Sequence, residues 1–133
     1  MANVRIDANG IPKGPIADPL APADHRLNRS AADSGIPAAS HSDWASNPGG
    51  FEKARVFAYV DFTGGTNPYL VLRPWLRNGG SSGKVGKGQA VTITGDDQVA
   101  VDVQVDGDDL LVFVESITGS PTTTDVDLYV SWR

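Results

Sequence analysis

Valines at positions 99, 101, 103 and 105 alternate with Ala100, Asp102, Gln104 and Asp106, the period-two pattern of a strand with one face toward water. Asp106-Gly107-Asp108-Asp109 interrupts the alternation with residues that accept positive φ or cap their own backbone. After it, Leu110, Val112 and Val114 alternate with Leu111, Phe113 and Glu115, so the second run is apolar on nearly both faces. The pattern predicts a β-hairpin over residues 98–117, with the return strand in mid-sheet or under a partner.

Four further runs carry the same period. In residues 51–62, Val56, Ala58, Val60 and Phe62 face one way and Arg55, Phe57, Tyr59 and Asp61 the other. Breakers at 63–68 precede a strand at 69–77, with Leu70, Leu72 and Leu76 inward and Tyr69, Val71, Arg73, Trp75 and Arg77 outward. Pro74 has no N–H for a ladder, which predicts an edge strand or a bulge there. Residues 78–88, NGGSSGKVGKG, read as a flexible basic loop, 89–94 as a short strand and 118–124 as a loop. In the last run, Val126, Leu128, Val130 and Trp132 alternate with polar neighbours. Six strands at regular spacing predict an all-β chain, a small jelly-roll-like sandwich.

Residues 1–50 differ. Six prolines and five glycines stop periodic structure, apart from a turn or two of helix expected in 21–32 with Asp24 as cap. Large apolar residues stand singly: Ile6, Ile11, Ile16, Leu20, Leu27, Ile36 and Trp44. That spacing describes an extended arm, residues 1–50, ahead of a β domain, residues 51–133. Each anchor drops into its own groove and contributes roughly 1.5–3 kcal/mol if fully buried. The grooves are expected on a partner or another copy, the alternative being the chain's own domain.

Composition removes several classes. Cysteine is absent, which excludes disulfides and thiolate chemistry. A net charge of -5 argues against a nucleic-acid partner, no apolar run is long enough for a membrane span, and no secretory leader is visible at residues 1–10. Arg73, Arg77, Lys84 and Lys87 lie in a stretch without acids, whereas residues 88–132 hold acids and no Lys or Arg. The ordinary reading is solvated turns and outer strand faces; the sharper one is a basic edge meeting the acidic edge of a neighbouring copy.

Candidate chemistry is sparse. Gly79-Gly80-Ser81-Ser82-Gly83 matches a nucleophile elbow, but no helix follows and His25 and His41 both precede it. Lys84 and Lys87 lack the spacing of a phosphate loop, and the two histidines lie on an arm that fixes no coordination geometry. The acidic turn at 106–109 fails the calcium-loop pattern. No catalytic, cofactor-binding or metal residue is therefore assigned, and the chain reads as non-enzymatic. Tyr69, Arg73, Trp75, Arg77, Leu111 and Phe113 form a candidate oligomer or ligand face. Tyr69, Trp75 and Trp44 would either stack on sugar rings or pack under the arm or a neighbouring subunit.

The Pro/Ala/Gly-rich strap of residues 1–50, followed by the module that runs from Phe51 to Val126-Asp127-Leu128-Tyr129-Val130-Ser131-Trp132, resembles the cement or decoration proteins of tailed-bacteriophage heads in overall organisation. The resemblance implies synthesis in the host cytoplasm and a place on the outer capsid surface of the virion. It also implies self-association as a trimer or dimer, with arms that staple neighbouring subunits of the major capsid protein. The alternative is a carbohydrate- or receptor-binding β-sandwich of a phage tail or fibre.

Overall fold

A computed structural model describes residues 31–133 in full and, of the preceding thirty, the backbone of three strands: β1 (Arg5–Ile6), β2 (Pro12–Lys13) and β3 (Ile16–Asn28). Then come β4 (Lys53–Thr63), β5 (Tyr69–Asn78), a 3-10 turn (Gly80–Ser82), β6 (Lys84–Lys87), β7 (Val91–Thr94), β8 (Asp97–Gln104), β9 (Asp109–Thr118) and β10 (Thr123–Trp132). Among the described residues β1 pairs only with β2. The others make a front sheet in the order β3-β10-β4-β8 and a back sheet in which β5 pairs with β6 and β7 on one side and β9 on the other. The chain is a β-sandwich, as the strand spacing predicts.

The core lies between the sheets. Ala54, Val56, Ala58, Val60 and Phe62 of β4 and Val126, Leu128, Val130 and Trp132 of β10 meet Leu70, Leu72, Leu110, Val112, Val114 and Ile93 from the back sheet. Trp132, Leu128, Leu110 and Leu70 are each at most 1% exposed. β8 is less enclosed: Val99, Val101 and Val103 are half-buried because it is an edge strand.

Four local expectations are corrected. β8 and β9 do not pair. β8 runs along β4, Gln104 opposite Lys53 and Asp97 opposite Val60, while β9 runs along β5 in the other sheet. Asp106 (φ 48) and Gly107 (φ 85) do make the expected tight turn. Its donors, however, go to the entrance of β4, Val105 N and Asp106 N to the Glu52 carbonyl and Gly107 N to that of Phe51. The connection is thereby a crossing between sheets, with Val105 fully buried at the corner.

Pro74 is not on an edge strand. It sits in the middle of β5, at the gap between β6, paired with residues 75–78, and β7, paired with residues 69–72. Its missing N–H falls where no ladder partner exists, and its carbonyl accepts from Gly88 N at 2.8 Å. A Cβ on Gly88 would stand 2.8 Å from that oxygen, so the return to β7 requires glycine. The bulge of β5 lies earlier, between Val71 and Leu72.

The N-terminal segment does not form the expected helix. Residues 16–28 are strand, added antiparallel to β10 from Ile16 opposite Trp132 to Asn28 opposite Thr123. The register shifts between Asp127 and Tyr129, which leaves Pro22 outside the paired positions; an edge strand with a bulge is where proline is tolerated. The "flexible" basic loop likewise contains β6. Its charges are spread by Val85 and Gly86, a pattern too short for periodicity to show.

Candidate functional site

Residues 33–47 form a strap across the back sheet. At one end Asp33 N donates to the Val114 carbonyl (2.9 Å) and Asp33 Oδ2 accepts from Val114 N (2.8 Å). At the other, Ala45 and Leu110 exchange backbone hydrogen bonds at 2.7 and 3.0 Å. The outer edge of β9 is thus covered at two points by the chain itself, which protects an apolar edge from pairing with other molecules.

Between these ties the strap bows over the outer face of the sheet. Trp44 packs with Trp75, Leu111 and Phe113 in a second apolar cluster, separate from the main core. Its Nε1 donates to the Ala38 carbonyl (2.9 Å), and the Arg77 guanidinium carbon lies 5.1 Å from its ring centroid, within cation–π range. Arg77 also donates to Asp109 Oδ2 at 2.8 and 3.0 Å and to the Ala39 carbonyl at 2.7 Å. Asn47 N donates to the other oxygen of Asp109 (2.9 Å). His41 lies edge-on to Phe113 at 5.7 Å, and its Nδ1 accepts from Asp43 N, a packing role.

This answers why β9 is apolar on both faces: Leu110, Val112 and Val114 meet the core, while Leu111 and Phe113 meet the strap. It also corrects the nominated residues. Trp44 anchors the arm to its own domain and is 8% exposed; Leu111, at 2%, offers no free face, and Phe113, at 7%, shows only the part of its ring that borders a cleft beside the strap. Trp75, at 7%, is under the strap. Arg73 donates twice to Glu115 (2.7 and 3.1 Å), which holds the Glu115 carboxyl below the usual carboxylate range. With Arg77 on Asp109, both arginines of the supposed basic edge are neutralised within the chain. Ile11 and the side chains of Ile6, Ile16, Leu20 and Leu27 lie outside the described residues, as does that of His25.

The structure brings three nominated residues together. Ile36, Trp75 and Phe113 line one cleft of about 560 Å³, with Asp33, Lys87 and Glu115 at its rim. Ile36 is 74% exposed although Pro37 beside it is buried, so the strap presents it outward from a tied loop. Trp75 Nε1 is buried with no acceptor among the described residues, at a cost of about 1–3 kcal/mol for an unmade bond.

A second cleft, of about 670 Å³, opens at one end of the front sheet and was not foreseen. Tyr59, Asp61, Gln98 and Asp127 line it, with Asp96, Asp97 and Asp125. The charge of Asp96, a hydrogen bond to it and the charge of Asp125 raise the Asp61 carboxyl above its ordinary value. Beside the cleft Tyr59 and Tyr129 meet edge to face, centroids 6.0 Å apart and planes at 84°. Ser81, in the exposed 3-10 turn, has no described histidine beside it, and no group of three metal-type ligands occurs among the described residues. No described helix is long and apolar enough to cross a membrane.

No protein-family model and no curated protein matches this chain. Among solved structures, a subunit of Bacillus endospore appendages, described as disulfide-linked pili, aligns at 15% identity with a TM-score of 0.42 over 98% of this chain and 96% of that one. The C-terminal family 22 carbohydrate-binding module of Clostridium thermocellum Xyn10B aligns at 14% identity with a TM-score of 0.41 over 96% of each. Neither likeness bears on a residue of either cleft.

Proposed function

We propose that this chain is a non-enzymatic structural protein of the capsid-cement or decoration class, which attaches to neighbouring subunits through the strap and its cleft. The observation that carries the reading is Ile36: a large apolar side chain held out to solvent on a loop tied at both ends, beside an aromatic floor. Preorganisation of this kind lowers the ordering cost of association. An apolar side chain of the partner would enter between Ile36 and Phe113, and a small shift of the strap would let a partner carbonyl reach the indole N–H of Trp75. The partners are other copies, as a dimer or trimer, and the major capsid protein of a virion. Affinity would arise from many such contacts at once on an ordered shell. The anchoring residue for a partner is therefore Ile36, with Trp44 holding the strap in place from within.

The test is the full chain against Ile36→Ser, measured by light scattering and by co-sedimentation with capsids stripped of accessory proteins. Ile36 is too exposed for the change to unfold the domain. The expected outcome is an oligomeric parent that sediments with capsids and a variant with unchanged melting and at least about tenfold weaker binding, a loss of about 1.4 kcal/mol. A monomeric parent that ignores capsids would end the reading.

A further inference from the structure

We propose that the open outer face of the front sheet is a binding platform for a neutral glycan, with Tyr59 and Tyr129 as stacking surfaces and Gln98 and Asp61 as hydrogen-bonding partners. The site is independent of the strap and lies on the opposite sheet.

The register builds it. On the outer face Phe57 is opposite Tyr129, and Tyr59 stands between Asp127 of β10 and Gln98 of β8. Ala100 is opposite Phe57, so a small side chain leaves a step down beside the aromatic group. Odd-numbered residues of β4 and β10 and even-numbered residues of β8 therefore share one surface. Tyr59 and Tyr129 are 42% and 41% exposed there. In an edge-to-face pair the edge of one ring covers a face of the other, and the remaining ring surface stays available.

The chemistry selects the ligand. An aromatic face takes the C–H side of a pyranose ring by dispersion and loss of apolar surface to water. The sugar hydroxyls lose water at the same time and need partners, because an unpaired buried hydroxyl costs more than the stacking returns. The cleft beside Tyr59 supplies them: carboxylates that accept from hydroxyls, and the Gln98 amide, which both donates and accepts. At about 670 Å³ the cleft holds a sugar or two. Asp61, Asp96 and Asp97 line it, and their charge disfavours phosphorylated, sulfated and uronic-acid polymers. A neutral chain, lying across the aromatic pair with one end in the cleft, meets every one of these conditions.

The test is native electrophoresis of the full chain in gels containing a soluble mixed-linkage β-glucan, an arabinoxylan or a galactomannan, with dextran sulfate as anionic control and a Tyr69→Ala variant as control on the other sheet. Retardation is expected in at least one neutral gel and none in dextran sulfate. Tyr59→Ala should weaken it at least about tenfold and Gln98→Ala, an exposed change that leaves the fold intact, several-fold, with Tyr69→Ala unaffected. No retardation in any neutral polysaccharide would overturn the proposal. So would retardation that survives both platform substitutions, or binding confined to polylysine, which would mark the face as an acidic patch and nothing more.

Discussion

The outer faces of the two sheets are built on the same strand period and end in opposite states. On the back sheet, Trp75, Leu111 and Phe113 lie under residues 33–47, and the edge of β9 is tied at Val114 and Leu110. On the front sheet, Phe57, Tyr59 and Tyr129 carry no described strap, and the charged neighbours are left at the surface. The difference follows from the polar groups each face offers. Arg77 and Asp109 give the strap a half-buried ion pair, with side chains 10% and 19% exposed, and a row of hydrogen bonds to bind against. On the front face, aspartates repel one another, and the pair Arg55–Asp102 stays exposed, where it adds little. An aromatic on a sheet surface is thus core or contact according to whether polar groups nearby can hold a covering segment.

The contrast is open to a direct break. Trp44→Ala should cost about 3–5 kcal/mol in a urea titration, as for other buried tryptophans, and should speed hydrogen exchange at Leu110, whose amide bonds to Ala45. Tyr129→Ala, on the open face, should cost about 1 kcal/mol or less. Equal costs would mean that the strap is not part of the folded core.

A smaller change sharpens the account of how the strap is held. Asp33→Ala removes the acceptor for Val114 N and should cost about 1–2 kcal/mol. Exchange should accelerate at Val114 and stay slow at Leu110 if the two ties act separately. Loss of protection at both would show that the strap opens as one unit.

The smallest effect concerns the acids. Asp61 has a raised folded pKa, so between the ordinary carboxylate value and that raised value the native state holds more protons than the unfolded chain. Stability falls as pH rises through that window and stays at the lower level at neutral pH. Asp102 and Glu115, lowered first of all by hydrogen bonds from Arg55 and Arg73, act in the opposite sense: their contribution is present above the ordinary value and lost as pH falls through the lowered one. Asp61→Asn should therefore raise the melting temperature slightly at pH 7, and the gain should vanish at acid pH. A gain that persists there would assign the effect to something other than repulsion.

Much of the sandwich was readable from period alone. The inward residues of β4, β5, β9 and β10 are those that the alternation picks out, because a face that must leave water can be filled only by apolar side chains at every second position. Pairing was not readable. The turn at Asp106-Gly107 has hairpin chemistry, and the donors of Val105, Asp106 and Gly107 are nonetheless claimed by Glu52 and Phe51, half a chain away. Pro74 reads as an edge signal because the gap between β6 and β7 arises only when two short strands share one neighbour. Of the candidate surfaces, Ile36 was visible as one of seven singly spaced anchors, but its exposure was not. The platform at Tyr59 and Tyr129 was not, since residues 70 positions apart become neighbours only through the register of β4 with β10.

The sequence by itself determined that this chain is all-β, which residues fill its interior, and that β9 must be covered on both sides. Those properties depend on side-chain period and on the cost of leaving apolar surface in water, and both are local. The tertiary structure decided what does the covering and which aromatics remain outside. Trp44 lies 67 residues before Leu111 and reaches it only because Asp33, Ala45 and Arg77 find partners on another part of the chain. Such long-range hydrogen bonds leave no period in the sequence: each needs one acceptor at one place, and the fold alone sets that place.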